Sequence, residues 1–219
     1  MYPKVKICGL MRFDDVRMCV RYGADIIGFV VDYPHPVPWN LNAQTARELM
    51  SAVSEPSETC IVTGGEAEKI LKLAFELQPN YIQLHGGESL DETAKIIYNL
   101  RKSGVKIIKT LFPDTPDLEK TAADFCDLGV YSLLYDPRTP NNAASGGTAD
   151  LYSFKKLRDS VRCPVILAGG INSENVADII KKTNAQIIDL MTGVEYSLGV
   201  KSEAKVNLLF KALRRSHIL

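Results

Sequence analysis

Two residues at the ends of apolar runs carry chemistry that a core does not need. Cys8 closes the run 4–8 (KVKIC) just before Gly9, and Asp136 closes the run 130–136 (VYSLLYD) just before Pro137. A thiol becomes a base once it ionises, and a carboxylic acid delivers a proton. Held on opposite sides of one site, they form an acid–base pair. Each also has an ordinary reading. A single cysteine in an apolar run is often core filler, and an aspartate before proline can cap a turn. The carboxyl is nonetheless costly to bury unless it is used or paired.

Two glycine-bearing segments suggest an anion site. One is Ala168-Gly169-Gly170-Ile171-Asn172, with Ser173 expected to open a helix; the other is Met191-Thr192-Gly193-Val194-Glu195. Adjacent glycines let backbone N–H groups approach a phosphate, and a helix N-terminus adds partial positive charge. The alternative is that these glycines only make tight turns.

The elements that must position these residues alternate along the chain. Eight short apolar runs lie at 4–8, 25–31, 59–63, 81–85, 105–111, 130–136, 164–169 and 186–191. They are continuously apolar, as parallel strands covered on both faces should be. Between them the apolar spacing becomes helical. Helices are predicted at 13–22, 116–126, 150–159 and 173–182. Others follow Asn42 (Ala46, Leu49, Met50 and Val53), Gly65 (Ile70, Leu71, Ala74 and Leu77), Ser89 with Glu92 as a capping box, and Ser202 (Val206, Leu209, Phe210 and Leu213).

Eight βα units without a linker predict one α/β domain over 1–219, a (β/α)8 TIM barrel, for which 219 residues suffice. The competing open sheet usually carries G-x-G-x-x-G after its first strand, where this chain has Cys-Gly-Leu. In the barrel, function gathers on the loops that follow the strands, and phosphate sites recur after the seventh and eighth. Both glycine segments fall there.

Composition removes other classes. Lys plus Arg and Asp plus Glu each total 26, so the formal charge is zero, which gives no reason to expect a nucleic acid or a membrane surface as partner. The opening MYPKVKICGL has no apolar signal region. Cys8, Cys19, Cys60, Cys126 and Cys163 are odd in number and contain no C-x-x-C pair. That pattern predicts neither a disulfide framework nor a zinc site, and it favours a reducing cytoplasm.

Read in order, several segments resemble the phosphoribosylanthranilate isomerase family. They are Lys6-Ile7-Cys8-Gly9-Leu10, Gly23 to Val30, Gln83-Leu84-His85-Gly86, Asp136 followed by Ser145-Gly146-Gly147-Thr148, Gly169-Gly170-Ile171-Asn172, Glu174-Asn175-Val176 and Gly193-Val194-Glu195. Each piece is weak alone, but together they span almost the whole chain. The resemblance implies an Amadori rearrangement in tryptophan biosynthesis, with Asp136 as general acid and Cys8 as general base. It implies a substrate- and phosphate-binding set of Gly146, Gly147, Gly169, Gly170, Asp189, Thr192 and Gly193, with Gln83 and His85 among the candidate substrate contacts. An imine intermediate serves as its own electron sink, so neither metal nor organic cofactor is expected. The expected partner is a phosphorylated small molecule, and the chain is expected to be a monomer or a homodimer.

Some positions depart from the family pattern. The family's Arg after the second strand, which meets the anthranilate carboxylate, is replaced within Tyr33-Pro34-His35-Pro36-Val37-Pro38-Trp39 by Pro38 or its neighbour. Met11 stands for a Thr, Met191-Thr192 for paired serines, and Val62-Thr63-Gly64-Gly65 for Phe-Val-Asn. Arg12, His35 or Arg138 could supply the missing charge, although His35 and Trp39 could equally be structural. A paralogous isomerase acting on another N-substituted phosphosugar stays open, as does a non-catalytic phosphate-binding barrel.

Overall fold

The computed structural model describes residues 2–137 and 150–215. Eight parallel strands form a closed barrel: β1 (Lys4–Ile7), β2 (Ile26–Val31), β4 (Glu58–Thr63), β5 (Tyr81–Leu84), β6 (Lys106–Leu111), β7 (Ser132–Tyr135), β8 (Val165–Ala168) and β9 (Ile187–Leu190). Consecutive barrel strands pair, and β1 pairs with both β2 and β9, which shuts the ring. A two-residue strand, β3 (Asn40–Leu41), extends from the second strand's loop alongside β2. A short hairpin, β10 (Glu195–Ser197) with β11 (Val200–Lys201), follows the last barrel strand.

One helix follows each barrel strand: α1 (Phe13–Tyr22), α2 (Ala43–Met50), α3 (Ala67–Leu77), α4 (Leu90–Leu100), α5 (Leu118–Leu128), α6 (Leu151–Ser160), α7 (Val176–Thr183) and α8 (Glu203–Arg215). The predicted caps form. Asn42 accepts from the Thr45 N–H at 2.8 Å, and Ser89 and Glu92 close a reciprocal capping box. Among the described residues, no helix is long and apolar enough to cross a membrane.

Strand parity divides the core in two. Successive strand side chains point to opposite faces. Val5 and Ile7 of β1, with Ile27, Phe29 and Val31 of β2, pack outward in the layer shared with the helices. Cys8, Ile26, Val30, Cys60, Val62, Tyr81, Ile108, Leu134, Ile166 and Ile187 fill the barrel interior. The same parity turns Lys6, Cys8, Gln83, Thr110, Asp136 and Asp189 toward the axis.

One expectation is corrected. Cys126 and Cys163 are joined by a disulfide across 37 residues, whereas the cysteine spacing predicts no bridge. Both sit at the end of the barrel where the strands begin, one near the foot of α5 and one just before β8. The ring makes β7 and β8 neighbours, so residues far apart in sequence meet there. Cys8, Cys19 and Cys60 are free and buried.

Candidate active site

At the end of the barrel where the strands stop, one cavity is lined by Cys8, Gln83, His85 and Asp136, by Ala168 to Ile171, and by Asp189 to Gly193. Val30, Tyr33, Val37, Trp39 and Val62 complete its wall on the side of the second and third barrel strands. The thiol and the carboxyl therefore open into the same space as both glycine loops, although they arrive from strands on different sides of the ring.

Cys8 is held by its backbone N–H, which donates to the Leu190 carbonyl at 2.8 Å. A Cβ placed on Gly28 would fall 2.9 Å from Cys8 Sγ, so the neighbouring strand leaves the thiol its space only because residue 28 has no side chain. Burial pushes the Cys8 thiol above its ordinary value, and the Lys6 ammonium beneath it pulls the other way. Lys6 Nζ lies 3.0 Å from Asp189 Oδ2, and its side chain is completely buried. Burial disfavours the charged ammonium, but Asp189 overrides that and holds Lys6 above the usual lysine range. Removing either partner alone would strand a buried charge.

Asp136 follows β7, is buried, and donates its backbone N–H to the Leu111 carbonyl at 3.1 Å. His85 Nε2 stands 3.9 Å from Asp136 Oδ2. The other ring nitrogen, Nδ1, contacts Thr110 Oγ1 at 3.1 Å and Gln83 Nε2 at 3.2 Å. Tyr33 reaches across from the loop after β2 and donates its hydroxyl to the His85 carbonyl at 3.1 Å. Gln83 and His85 thus form one wall of the cavity with Asp136.

The glycine loops show one departure from the expected geometry. Gly169 and Gly170 have φ of 98° and 63°, left-handed values that glycine adopts without strain. The helix expected from residue 173 begins instead at Val176. Asn172 Oδ1 takes the N–H groups of Glu174 and Asn175 at 2.8 and 3.2 Å, so the turn's first donors are already satisfied by a side chain. The Gly169–Gly170 backbone, and not a free helix end, is what this loop presents to the cavity. A Cβ on Gly193 would meet the Ile171 carbonyl oxygen at 1.9 Å. That contact brings the two loops together and explains the glycine.

Other predicted contacts separate. Of the positions offered for the family's Arg, both neighbours of Pro38, Val37 and Trp39, line the cavity, whereas Pro38 is exposed. Arg12 is exposed before α1 and does not line the cavity. His35 lies on an adjoining depression with Tyr33 and His85, its ring 5.7 Å from that of Tyr33. Arg138, Gly146 and Gly147 lie outside the described residues. The sequence reading missed the role of Lys6. Its signal was available: a lysine in an apolar run, two residues from Cys8 and therefore on the same strand face.

The chain is similar to known proteins over nearly its whole length. The model of the family described as N-(5'phosphoribosyl)anthranilate (PRA) isomerase matches residues 5–212. The N-(5'-phosphoribosyl)anthranilate isomerase of Haloferax volcanii is 32% identical over 215 residues, covering 96% of this chain and 93% of the relative. The crystal structure of the phosphoribosyl anthranilate isomerase from Thermotoga maritima superimposes with a TM-score of 0.83 at 29% identity, covering 97% and 99% of the two chains. Another crystal structure of such an isomerase, in complex with reduced 1-(o-carboxyphenylamino)-1-deoxyribulose 5-phosphate, gives a TM-score of 0.80 at 27% identity, covering 97% of this chain and 99% of that one.

Proposed function

This chain belongs to the N-(5'-phosphoribosyl)anthranilate isomerase family, and we propose that it catalyses the Amadori rearrangement of N-(5'-phosphoribosyl)anthranilate to the carboxyphenylamino-deoxyribulose phosphate in tryptophan biosynthesis. The observation that carries this reading is the single cavity into which Cys8, Asp136 and both glycine loops open.

In this reading Asp136 gives its proton to the ring oxygen of the ribose, and the C1′–O bond breaks to leave an imine at C1′. The Cys8 thiolate then takes the proton from C2′, and the electron pair moves toward the imine nitrogen to form an enolamine. Tautomerisation yields the ketose. The Gly169–Gly170 backbone and the Thr192–Gly193 segment hold the 5′-phosphate, which fixes C1′ and C2′ between acid and base. His85, beside Asp136 and bonded to Thr110 and Gln83, orients the acid. We place the enzyme in the cytoplasm with the tryptophan pathway, a reading that the Cys126–Cys163 bridge deprives of its cysteine argument.

A second reading has one observation in its favour. Among the described residues lining the cavity there is no Lys or Arg, and Val37 occupies the wall where a carboxylate partner is expected. That wall suits an N-substituent without a carboxylate. Complementation of a tryptophan auxotroph lacking the isomerase step decides between the readings. Growth restored by the wild-type gene supports the anthranilate substrate. Failure to restore growth by a well-expressed, folded protein favours the other N-substituent.

A further inference from the structure

The proposed chemistry leaves unused a chain of buried polar groups behind the phosphate loop. Lys201 on β11 places Nζ 2.8 Å from Glu195 Oε1 and 3.3 Å from the Met191 carbonyl oxygen. The same Glu195 oxygen accepts a hydrogen bond from Trp39 Nε1 at 3.0 Å. The Lys201 side chain is completely buried and that of Glu195 is 5% exposed. The backbone is pinned at both ends of the hairpin. Lys201 N–H donates to Asp15 Oδ2 at 3.0 Å, and Lys205 Nζ donates to the Glu195 carbonyl at 2.6 Å.

This chain joins two parts of the mouth that are far apart in sequence. At one end is the Met191–Thr192 peptide. In a trans, planar peptide the carbonyl and the following N–H point in opposite directions. By holding the Met191 carbonyl, Lys201 turns the Thr192 N–H away from itself, and Met191, Thr192 and Gly193 line the cavity. At the other end is Trp39, in the segment after β2 that walls the N-substituent side. Its indole packs with Met191 over Gly9, where an added Cβ would lie 2.5 Å from Met191 Cε and 3.1 Å from Trp39 Cδ1. Trp39 is also the only tryptophan in the sequence.

We propose that Lys201, Glu195 and Trp39 are positioning residues that couple the phosphate subsite to the wall of the N-substituent subsite, so that an anion seated on the Thr192–Gly193 turn is felt at the indole. This inference rests on the phosphate reading above. Lys201 acts on the phosphate subsite by setting peptide orientation, and Glu195 carries the link to Trp39.

The test follows inorganic phosphate by calorimetry, which does not depend on tryptophan, and by Trp39 emission. The Lys201→Met/Glu195→Gln double variant removes both charges, so neither is stranded, and its glutamine oxygen can still accept from Trp39. In the wild type, phosphate binding should change Trp39 emission. In the double variant, phosphate affinity should fall roughly tenfold and the emission change should disappear. Trp39→Phe, which keeps an aromatic ring but loses the Nε1 donor together with the five-membered ring packed over Gly9, should raise KM for the phosphorylated substrate more than it lowers kcat. Unchanged phosphate affinity in the folded double variant, or wild-type binding without any change in emission, overturns the coupling and leaves the phosphate subsite standing. A wild type that shows no calorimetric binding of phosphate overturns both. If the double variant does not fold, Trp39→Phe decides alone, and unchanged KM overturns the proposal.

Discussion

Lys6 and Asp189 form an ion pair, 3.0 Å between Nζ and Oδ2, in the barrel interior below the Cys8 thiol, with Lys6 completely buried and Asp189 reaching the cavity. The two residues face each other because β1 and β9 close the ring in a register that sets position 6 opposite position 189. Lys6 and Cys8 share a strand face, so the ammonium bears on the ionisation of the thiol.

The sign of the resulting pH dependence follows. A base must be deprotonated, and burial raises the Cys8 thiol above its usual value while Lys6 lowers it and Asp189, more weakly, raises it. The rate should therefore climb from neutral into alkaline pH. Replacing both partners, Lys6→Met/Asp189→Asn, avoids a stranded charge and removes more lowering than raising. Its rising limb should move to higher pH than the wild type's in a kcat/KM profile. An unmoved limb would show that Lys6 does not govern the thiol.

Cys8→Ser and Asp136→Asn should each reduce kcat by on the order of 10²-fold or more. Neither change alters the size of the side chain much, so the thermal midpoint should hold. Steady-state turnover with phosphoribosylanthranilate, beside a melting curve, measures both. Near-normal turnover in either variant would remove that residue from its assigned role.

Gly28→Ala and Gly193→Ala should separate chemistry from phosphate binding. The first pushes a methyl to 2.9 Å from Cys8 Sγ, so it should lower kcat more than it raises KM. The second sets a methyl 1.9 Å from the Ile171 carbonyl and forces the two loops apart, so phosphate affinity should fall. Phosphate-dependent thermal shifts and kinetics, compared between the two, check the division. Identical kinetic signatures would argue against it.

If the substrate carries a carboxylate, Val37→Arg should tighten its binding. A carboxylate without a partner in a partly desolvated site costs about 1–3 kcal/mol, roughly 5- to 150-fold in affinity. KM for phosphoribosylanthranilate should be high in the wild type and lower by a factor in that range in the variant, while Arg12→Ala, exposed and away from the cavity, should leave it unchanged. A low wild-type KM that Val37→Arg does not improve would mean that another group already holds the carboxylate.

The Cys126–Cys163 bridge closes a segment spanning 37 residues of sequence separation. Breaking such a loop typically costs about 2–4 kcal/mol of stability. Cys126→Ser/Cys163→Ser should therefore melt below the oxidised wild type, and reductant should lower the wild-type midpoint toward the variant's. Identical melting with and without reductant would show that the bridge adds nothing to stability.

The sequence by itself determined the architecture and half the site. Continuous apolar runs broken by helical spacing can pack only as parallel strands covered on both faces, so the eight units were legible from local pattern. The positions of Cys8 and Asp136 at strand ends were legible for the same reason, because strand ends are where this fold gathers its loops. The register between β1 and β9 was not legible, and it alone makes Lys6 the partner of Asp189. Local pattern placed the helix after Gly170 from about residue 173, within three residues of its start at Val176. Asn172 accepts from the Glu174 and Asn175 N–H groups, which a helix start leaves without intrahelical partners, and its carbonyl takes the Val176 N–H at 3.0 Å, so the turn before Val176 is a capped entry to the helix. The choice of Val37 over Pro38 as the wall residue, the meeting of Cys126 with Cys163, and the link from Trp39 through Glu195 to Lys201 all depend on closure of the ring. Spacing along a chain encodes which face a side chain takes on its own element. Which residue it meets across the barrel is set by strand register and loop packing, and those exist only in the folded molecule.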